Sequence, residues 1–129
     1  MDLPNPRGAD TRVPIALGHL EFFCRDTEAS RRFYEEVLGF TVVEIQALCV
    51  WLRCGSIEIL LRPGEPQRAR SYQQGTTCIV LYCEDLSTTL EQVVGLGLQV
   101  AGTDGAPNCP TFQDPDGRWF QLVDPRNHT

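Results

Sequence analysis

The chain has 129 residues, one domain's worth, of which 42% are hydrophobic and 22% charged, the balance of a folded protein rather than a disordered one. Acidic residues outnumber basic ones by seventeen to eleven, leaving a net charge of −6, so nucleic acid and anionic membrane are excluded as expected partners. All of the cations are arginines, which excludes a Schiff-base or phosphate-loop lysine. No apolar run reaches the eighteen or so residues of a membrane span. The opening MDLPNPRGADTRVP has no apolar stretch, so no secretory leader is expected and the compartment is read as cytoplasmic and reducing. In that setting Cys24, Cys49, Cys54, Cys78, Cys83 and Cys109, which form no C-x-x-C pair, are expected as free thiols.

Taken in order, residues 1–14 are rich in proline and lack periodicity, and read as a mobile arm. The run Leu17–Cys24 alternates as a strand, with His19, Glu21 and Phe23 on one face and Leu20, Phe22 and Cys24 on the other. Asp26 then caps a helix over Thr27–Leu38, with Ala29, Phe33 and Val37 as its apolar stripe and Gly39 as its stop. Strands are predicted at Phe40–Ile45, Leu48–Arg53 and Ile57–Arg62. Pro63–Gly75 is polar and punctuated by Pro and Gly, a linker whose Arg68 and Arg70 read as solvated. A strand at Thr76–Cys83 follows, then a helix capped by Asp85 with Leu86, Leu90, Val93 and Val94 on its stripe. Gly97 ends that helix. Strands at Leu98–Val100, Cys109–Phe112 and Arg118–Val123 complete the chain. Asp114-Pro115-Asp116-Gly117 is a type I turn, and its aspartates are assigned no chemistry.

The second half repeats the first. Cys24-Arg25-Asp26 recurs as Cys83-Glu84-Asp85, an offset of 59 that also carries His19 onto Cys78. The chain is therefore read as α+β, a single domain over 15–125 with a short tail at 126–129. It holds two βαβββ modules, 15–63 and 76–125, joined by the linker at 63–75. Each helix can cover only one face of its sheet, and that face takes the apolar phase of the strands. The other face carries His19, Glu21, Phe23, Glu58, Arg62, Cys78, Tyr82, Trp119 and Gln121, a mixture of aromatic and polar groups that suits a ligand pocket.

The strand His19–Asp26, the helix ending Phe33-Tyr34-Glu35-Glu36-Val37-Leu38-Gly39-Phe40, the strand Ile57-Glu58-Ile59 and Asp114–Gly117 before Trp119-Phe120-Gln121-Leu122 resemble the vicinal oxygen chelate superfamily. That group includes glyoxalase I, bleomycin-resistance proteins, fosfomycin-resistance thiol transferases and extradiol dioxygenases. The resemblance spans about residues 16–125. It implies paired modules whose mixed sheets curl into a cleft, commonly in a homodimer that exchanges modules. The linker of thirteen residues reaches at most about 45 Å, enough for such an exchange.

By the same resemblance, metal-ligand positions fall on His19 and Glu58 in the first module and on Cys78 and Gln121 in the second. Imidazole and carboxylate suit zinc, nickel, iron or manganese. The second pair departs from the family pattern of His and Glu. Gln121 cannot serve as a general base, which counts against ordinary glyoxalase I activity. Glu21, Phe23, Arg62, Tyr82 and Trp119 are the expected substrate contacts. Each residue also has a plainer reading. His19 suits a hydrogen-bonded cleft residue, and Cys78 a small pocket-lining hydrophobe. Gln121 suits a hydrogen-bonding group, and the aromatics suit core packing. The charge of Glu58 requires an offset by metal, Arg62 or ligand. Two functions stay open: a metal-dependent lyase, isomerase or dioxygenase, and a metal-free protein that sequesters a cationic or aromatic compound in an acidic cleft. Thiol transfer is disfavoured, because no lysine-containing anion cluster is present.

Overall fold

The computed structural model describes residues 13–103 and 109–126, so most of the expected arm and tail lie outside the described residues. The chain order is β1 (Leu20–Cys24), α1 (Thr27–Arg32), β2 (Thr41–Gln46), β3 (Cys49–Cys54), β4 (Ile57–Pro63), β5 (Ile79–Tyr82), α2 (Leu86–Gly95), β6 (Thr111–Gln113) and β7 (Trp119–Val123). A π-helical turn, Phe33–Val37, continues α1, and a short 3₁₀ turn covers Tyr72–Gln74. The first sheet runs β1-β4-β3-β2 and the second β5-β7-β6. In both, the opening strand lies parallel to the last strand of its module, Leu20 opposite Ile59 and Ile79 opposite Phe120. The fold is thus α+β with two mixed sheets, and the duplicated unit read from the sequence recurs in the strand pairing.

The expected strand at Leu98–Val100 is not formed. Leu98 instead donates its amide to the Val93 carbonyl at 2.9 Å, closing the end of α2. The pairing passes to Ala101 and Gly102, which exchange backbone hydrogen bonds with Thr111, and to one bridge between Thr103 and Pro110.

Both helix-side sheet faces contribute to one core, in which Phe22, Leu52, Ile59 and Leu61 of the first sheet meet Phe112, Phe120 and Leu122 of the second. Phe112 and Phe120 stack with ring centroids 5.3 Å apart, and Phe22 meets Phe120 edge-on at 6.5 Å. Each such aromatic pair contributes on the order of 1 kcal/mol beyond its burial. The apolar stripe assigned to α1 is displaced by one residue. The fully buried positions are Ser30 and Tyr34, whereas Ala29, Phe33 and Val37 flank them at partial exposure. On α2, Val93 is buried but Val94 is half exposed.

The displacement has a chemical cause in the Asp114–Gly117 turn. Tyr34 donates its hydroxyl to Asp114 at 2.6 Å, and Ser30 donates to Asp116 at 3.2 Å. Asp114 also accepts the backbone amides of Asp116 and Arg118, at 2.9 and 2.8 Å, and pairs with the Arg118 guanidinium. Asp116 accepts the Arg25 amide at 2.9 Å. Arg118 then donates to the Phe23 carbonyl at 2.7 Å and lies over the Phe22 ring at 4.4 Å. Two buried aspartates of the second module therefore hold the first strand and first helix of the other. Burial, reinforced by the charge of Asp114, keeps the Tyr34 phenol well above its ordinary pKa, so it remains a donor.

Truncation of Asp114 to Ala leaves the Arg118 charge and the Tyr34 hydroxyl uncompensated in the interior. The expected loss is about 3 kcal/mol of unfolding free energy in urea, and a loss below about 1 kcal/mol contradicts the clasp. A second prediction concerns Cys24, which is fully buried and whose pKa is pushed by desolvation to about 11. Its thiolate fraction at pH 8 is about a hundredth of that of an ordinary thiol, so native-state alkylation mapped by mass spectrometry shows Cys24 protected. Since the folded pKa is the raised one, this thiol costs no stability below its unfolded value near 9, and stability falls as pH climbs from there toward 11.

Candidate functional site

In the first sheet the strand register puts His19, Glu21 and Phe23 of the β1 region on the same face as Glu58, Leu60 and Arg62 of β4. Cys49, Trp51 and Arg53 of β3 share that face. It is the face turned away from the common core. Carried back one residue from Leu20 and Ile59, the parallel register sets His19 beside Glu58. The His19 ring meets Trp51 edge-on with centroids 4.8 Å apart, and its Nε2 shares a hydrogen bond with Glu21 at 3.0 Å. Arg62 donates to Glu21 at 2.8 Å and lies over the Phe23 ring at 5.9 Å. The hydrogen bonds from Arg62 and then His19 hold the Glu21 carboxyl below the usual carboxylate range.

Glu58 accepts from Arg53 at 3.1 Å. The offset for its charge is therefore Arg53, whereas the Arg62 expected there serves Glu21. Glu21 and Glu58 thus each have an arginine, while Glu44 of β2, opposite Trp51 on the same face, accepts from Gln46 at 2.9 Å. With Glu21, Glu44 and Glu58 against Arg53 and Arg62, the face is only slightly acidic, which weakens the local charge that a cationic ligand was expected to meet.

In the second sheet Gln121 and Trp119 lie on the face away from the core, and both are buried. Tyr72 donates its hydroxyl to Gln121 Oε1 at 3.1 Å. Trp119 donates its indole N–H to the Ala69 carbonyl at 3.1 Å. Cys78 precedes β5, is partly buried, and has its sulfur 3.8 Å from the Ile79 carbonyl. Tyr82 is 74% exposed and, opposite Val123, lies on the same face of the second sheet as Gln121. It lines a recess of about 290 Å³ with Cys54 and Cys83, at the end of the sheet.

The predicted site residues thus fall into two groups. His19, Glu21, Phe23, Glu58 and Arg62 come together on the first sheet, while Trp119 and Gln121 come together on the second. A recess of about 360 Å³ touches both groups, lined by Glu21, Arg118, Trp119 and linker residues that include Pro66 and Ala69. Among the described residues, no three His, Cys, Asp or Glu side chains are grouped to hold a metal ion. The donor chemistry of His19 and Glu58 fits half of a divalent site, and completing it requires further donors.

Three residues of these faces escaped the sequence reading. Trp51 and Arg53 follow from the alternation of Cys49–Cys54, whose Val50 and Leu52 are buried. Tyr72 carried no such signal, because it lies in a stretch without period. Arg68 and Arg70 are exposed, as expected, yet the stretch is tied down, since Arg68 donates to the Pro115 carbonyl at 3.0 Å. Its Cα also sits 3.2 Å from where a Cβ on Gly117 would lie, at a φ of +87°.

The fold has known counterparts. The fosfomycin resistance protein FosX from Mesorhizobium loti is 27% identical and superposes with a TM-score of 0.64, covering 83% of this chain and 89% of its own. Lactoylglutathione lyase from Agrobacterium tumefaciens is 20% identical with a TM-score of 0.66, covering 88% and 96%. FosX from Listeria monocytogenes, in a complex with Mn(II) and sulfate, is 15% identical with a TM-score of 0.70, covering 84% and 89%. A search of curated proteins finds no match. The profile of the Glyoxalase/Bleomycin resistance protein/Dioxygenase superfamily matches residues 16–122, and the chain belongs to that superfamily.

Proposed function

We propose that the chain binds a small molecule on the core-averted faces of its two sheets. In this reading a divalent ion is held by His19 and Glu58 of one copy and by Gln121 of a second copy in a homodimer. What supports it most is that His19, whose ring meets Trp51, continues the β1 face of Glu21 and Phe23, and that Glu58 of β4 belongs to the same sheet face. Imidazole nitrogen, carboxylate and amide oxygen form a donor set suited to zinc, nickel, iron or manganese; Cys78 adds a softer donor that favours zinc. A bound ion supplies Lewis acidity toward adjacent oxygens of a substrate. Gln121 carries no base, so proton transfer falls to Glu58 or Glu21, each hydrogen-bonded to an arginine. Phe23 and Trp51 offer apolar and stacking surface, and Arg53 and Arg62 are the groups able to meet an anionic part of the ligand.

The core packing supports a role for a second copy. The helix-side faces of both sheets are consumed inside one chain, so the two half-sites lie on faces that do not share that packing. Likeness to the Mesorhizobium loti resistance protein supports a small-molecule role, with lyase, isomerase or dioxygenase chemistry as the enzymatic options. A second reading, a metal-free binding protein, is favoured by one fact: His19, Glu58 and Gln121 each already have a hydrogen-bond partner. A reducing, cytoplasmic setting accords with six free cysteines, and among the described residues no helix is long and apolar enough to cross a membrane.

The test is metal content after equilibrium dialysis, read in mixed variants. Wild-type protein is expected to hold one ion per chain, and His19→Ala or Gln121→Ala alone to hold none. Mixing those two variants and letting subunits exchange restores about one quarter of the sites, because half of the dimers are mixed and each carries one intact site. No recovery places the site within one chain, and no metal in the wild type leaves the binding-protein reading.

A further inference from the structure

The internal repeat gives the modules two equivalent junctions, and the described residues fill only one of them. The offset of 59 that carries Cys24 onto Cys83 also carries Ser30 onto Thr89 and Tyr34 onto Val93. Strand register extends the match to the turns. Leu52 lies opposite Ile59 and Phe112 opposite Phe120, so two residues further along Cys54 stands where Asp114 stands. At the first junction the Tyr34 ring is fully buried among Phe22, Phe40 and Phe120, with centroids 5.9, 5.5 and 5.9 Å away, and its hydroxyl meets Asp114. At the second, a valine and a cysteine take the places of that tyrosine and aspartate.

An isopropyl group and a thiol fill much less space than a phenol and a carboxylate. Among the described residues the second junction keeps the recess of about 290 Å³, walled by Leu81, Val93 and Leu122 and bordered by Cys54, Cys83 and Thr89. An apolar cavity of about 150 Å³ already holds benzene. Desolvation pushes the pKa of both thiols up, so at neutral pH they add no charge to the walls. Arg53, which also lines the recess, is paired with Glu58. We propose that this recess is a binding site for an uncharged single-ring aromatic molecule, which sits there as the Tyr34 ring sits at the first junction. Its walls belong to the helix-side core, so the proposal does not rest on the metal-site reading.

The probe is p-cresol, the tyrosine side chain as a free molecule, added to the full chain. Saturable binding is expected by titration calorimetry, with a Kd of about 1 mM or below for a ligand this small. The position is read from alkylation of the cysteines by N-ethylmaleimide, mapped by mass spectrometry. With p-cresol at about four times its Kd, one fifth of the sites are free, so Cys54 and Cys83 are expected to react about five-fold more slowly. Cys49, on the core-averted face, is expected to react at an unchanged rate. Val93→Phe supplies a ring from the chain itself and is expected to abolish the protection, whereas Val93→Ala enlarges the recess and keeps it. Absence of saturable binding overturns the proposal. So does slowing at Cys49 equal to that at Cys54 and Cys83, or protection that persists in Val93→Phe. Should Val93→Phe not fold, the wild-type pattern of the three cysteines decides alone.

Discussion

Two aspartates in one turn hold the architecture together. Asp114 and Asp116 lie in the loop between β6 and β7, yet their partners are Arg25, Ser30 and Tyr34 at the start of the chain. A buried carboxylate is costly unless donors surround it. Here the donors come from both modules, two backbone amides of the turn itself and the groups on β1 and α1. Removing either module would strand charge in the interior. The clasp therefore dictates which sheet faces meet. Because Phe22 and Phe120 must pack beneath it, the helix-side faces close on each other, and the polar faces are left for other uses.

The charge pattern of the first polar face follows a second economy. Although the chain as a whole carries a charge of −6, Glu21 and Glu58 are each matched by an arginine on a neighbouring strand position. Exposed pairs of this kind contribute little stability. Their consequence is for binding: with Glu44 added from β2 the face is slightly acidic when empty and becomes positive when a divalent ion settles on it. Such a face then favours anionic oxygens over cations. The long-range field of the acidic chain and the local field of the site thus need not favour the same ligand.

Much of this was legible from residue order. Period-two alternation placed His19, Glu21 and Phe23 opposite Leu20, Phe22 and Cys24, and the register agrees at every one of the strand positions paired. The cap at Asp26 accepts the Glu28 and Ala29 amides as its side chain allows. What pattern could not show was polar burial. Ser30 and Tyr34 are left out of the Ala29, Phe33 and Val37 stripe because a hydroxyl scores as wet, until a carboxylate eighty residues from Tyr34 matches it. The contacts of the linker are hidden from pattern in a similar way. Its hold on the second sheet runs through the Ala69 carbonyl, a group every residue carries and no sequence signal marks. The strand at Leu98–Val100 was lost to the end of α2, where a local hydrogen bond won over β propensity.

The central claim is that His19 and Glu58 work with Gln121 from a different copy of the chain. Anomalous diffraction at the manganese edge, from crystals grown with Mn(II), tests it most directly. The account predicts an anomalous peak between the first sheet of one subunit and the second sheet of its partner. A peak bounded by residues of a single chain, or a site at His19 that stays empty at saturating metal, would contradict it.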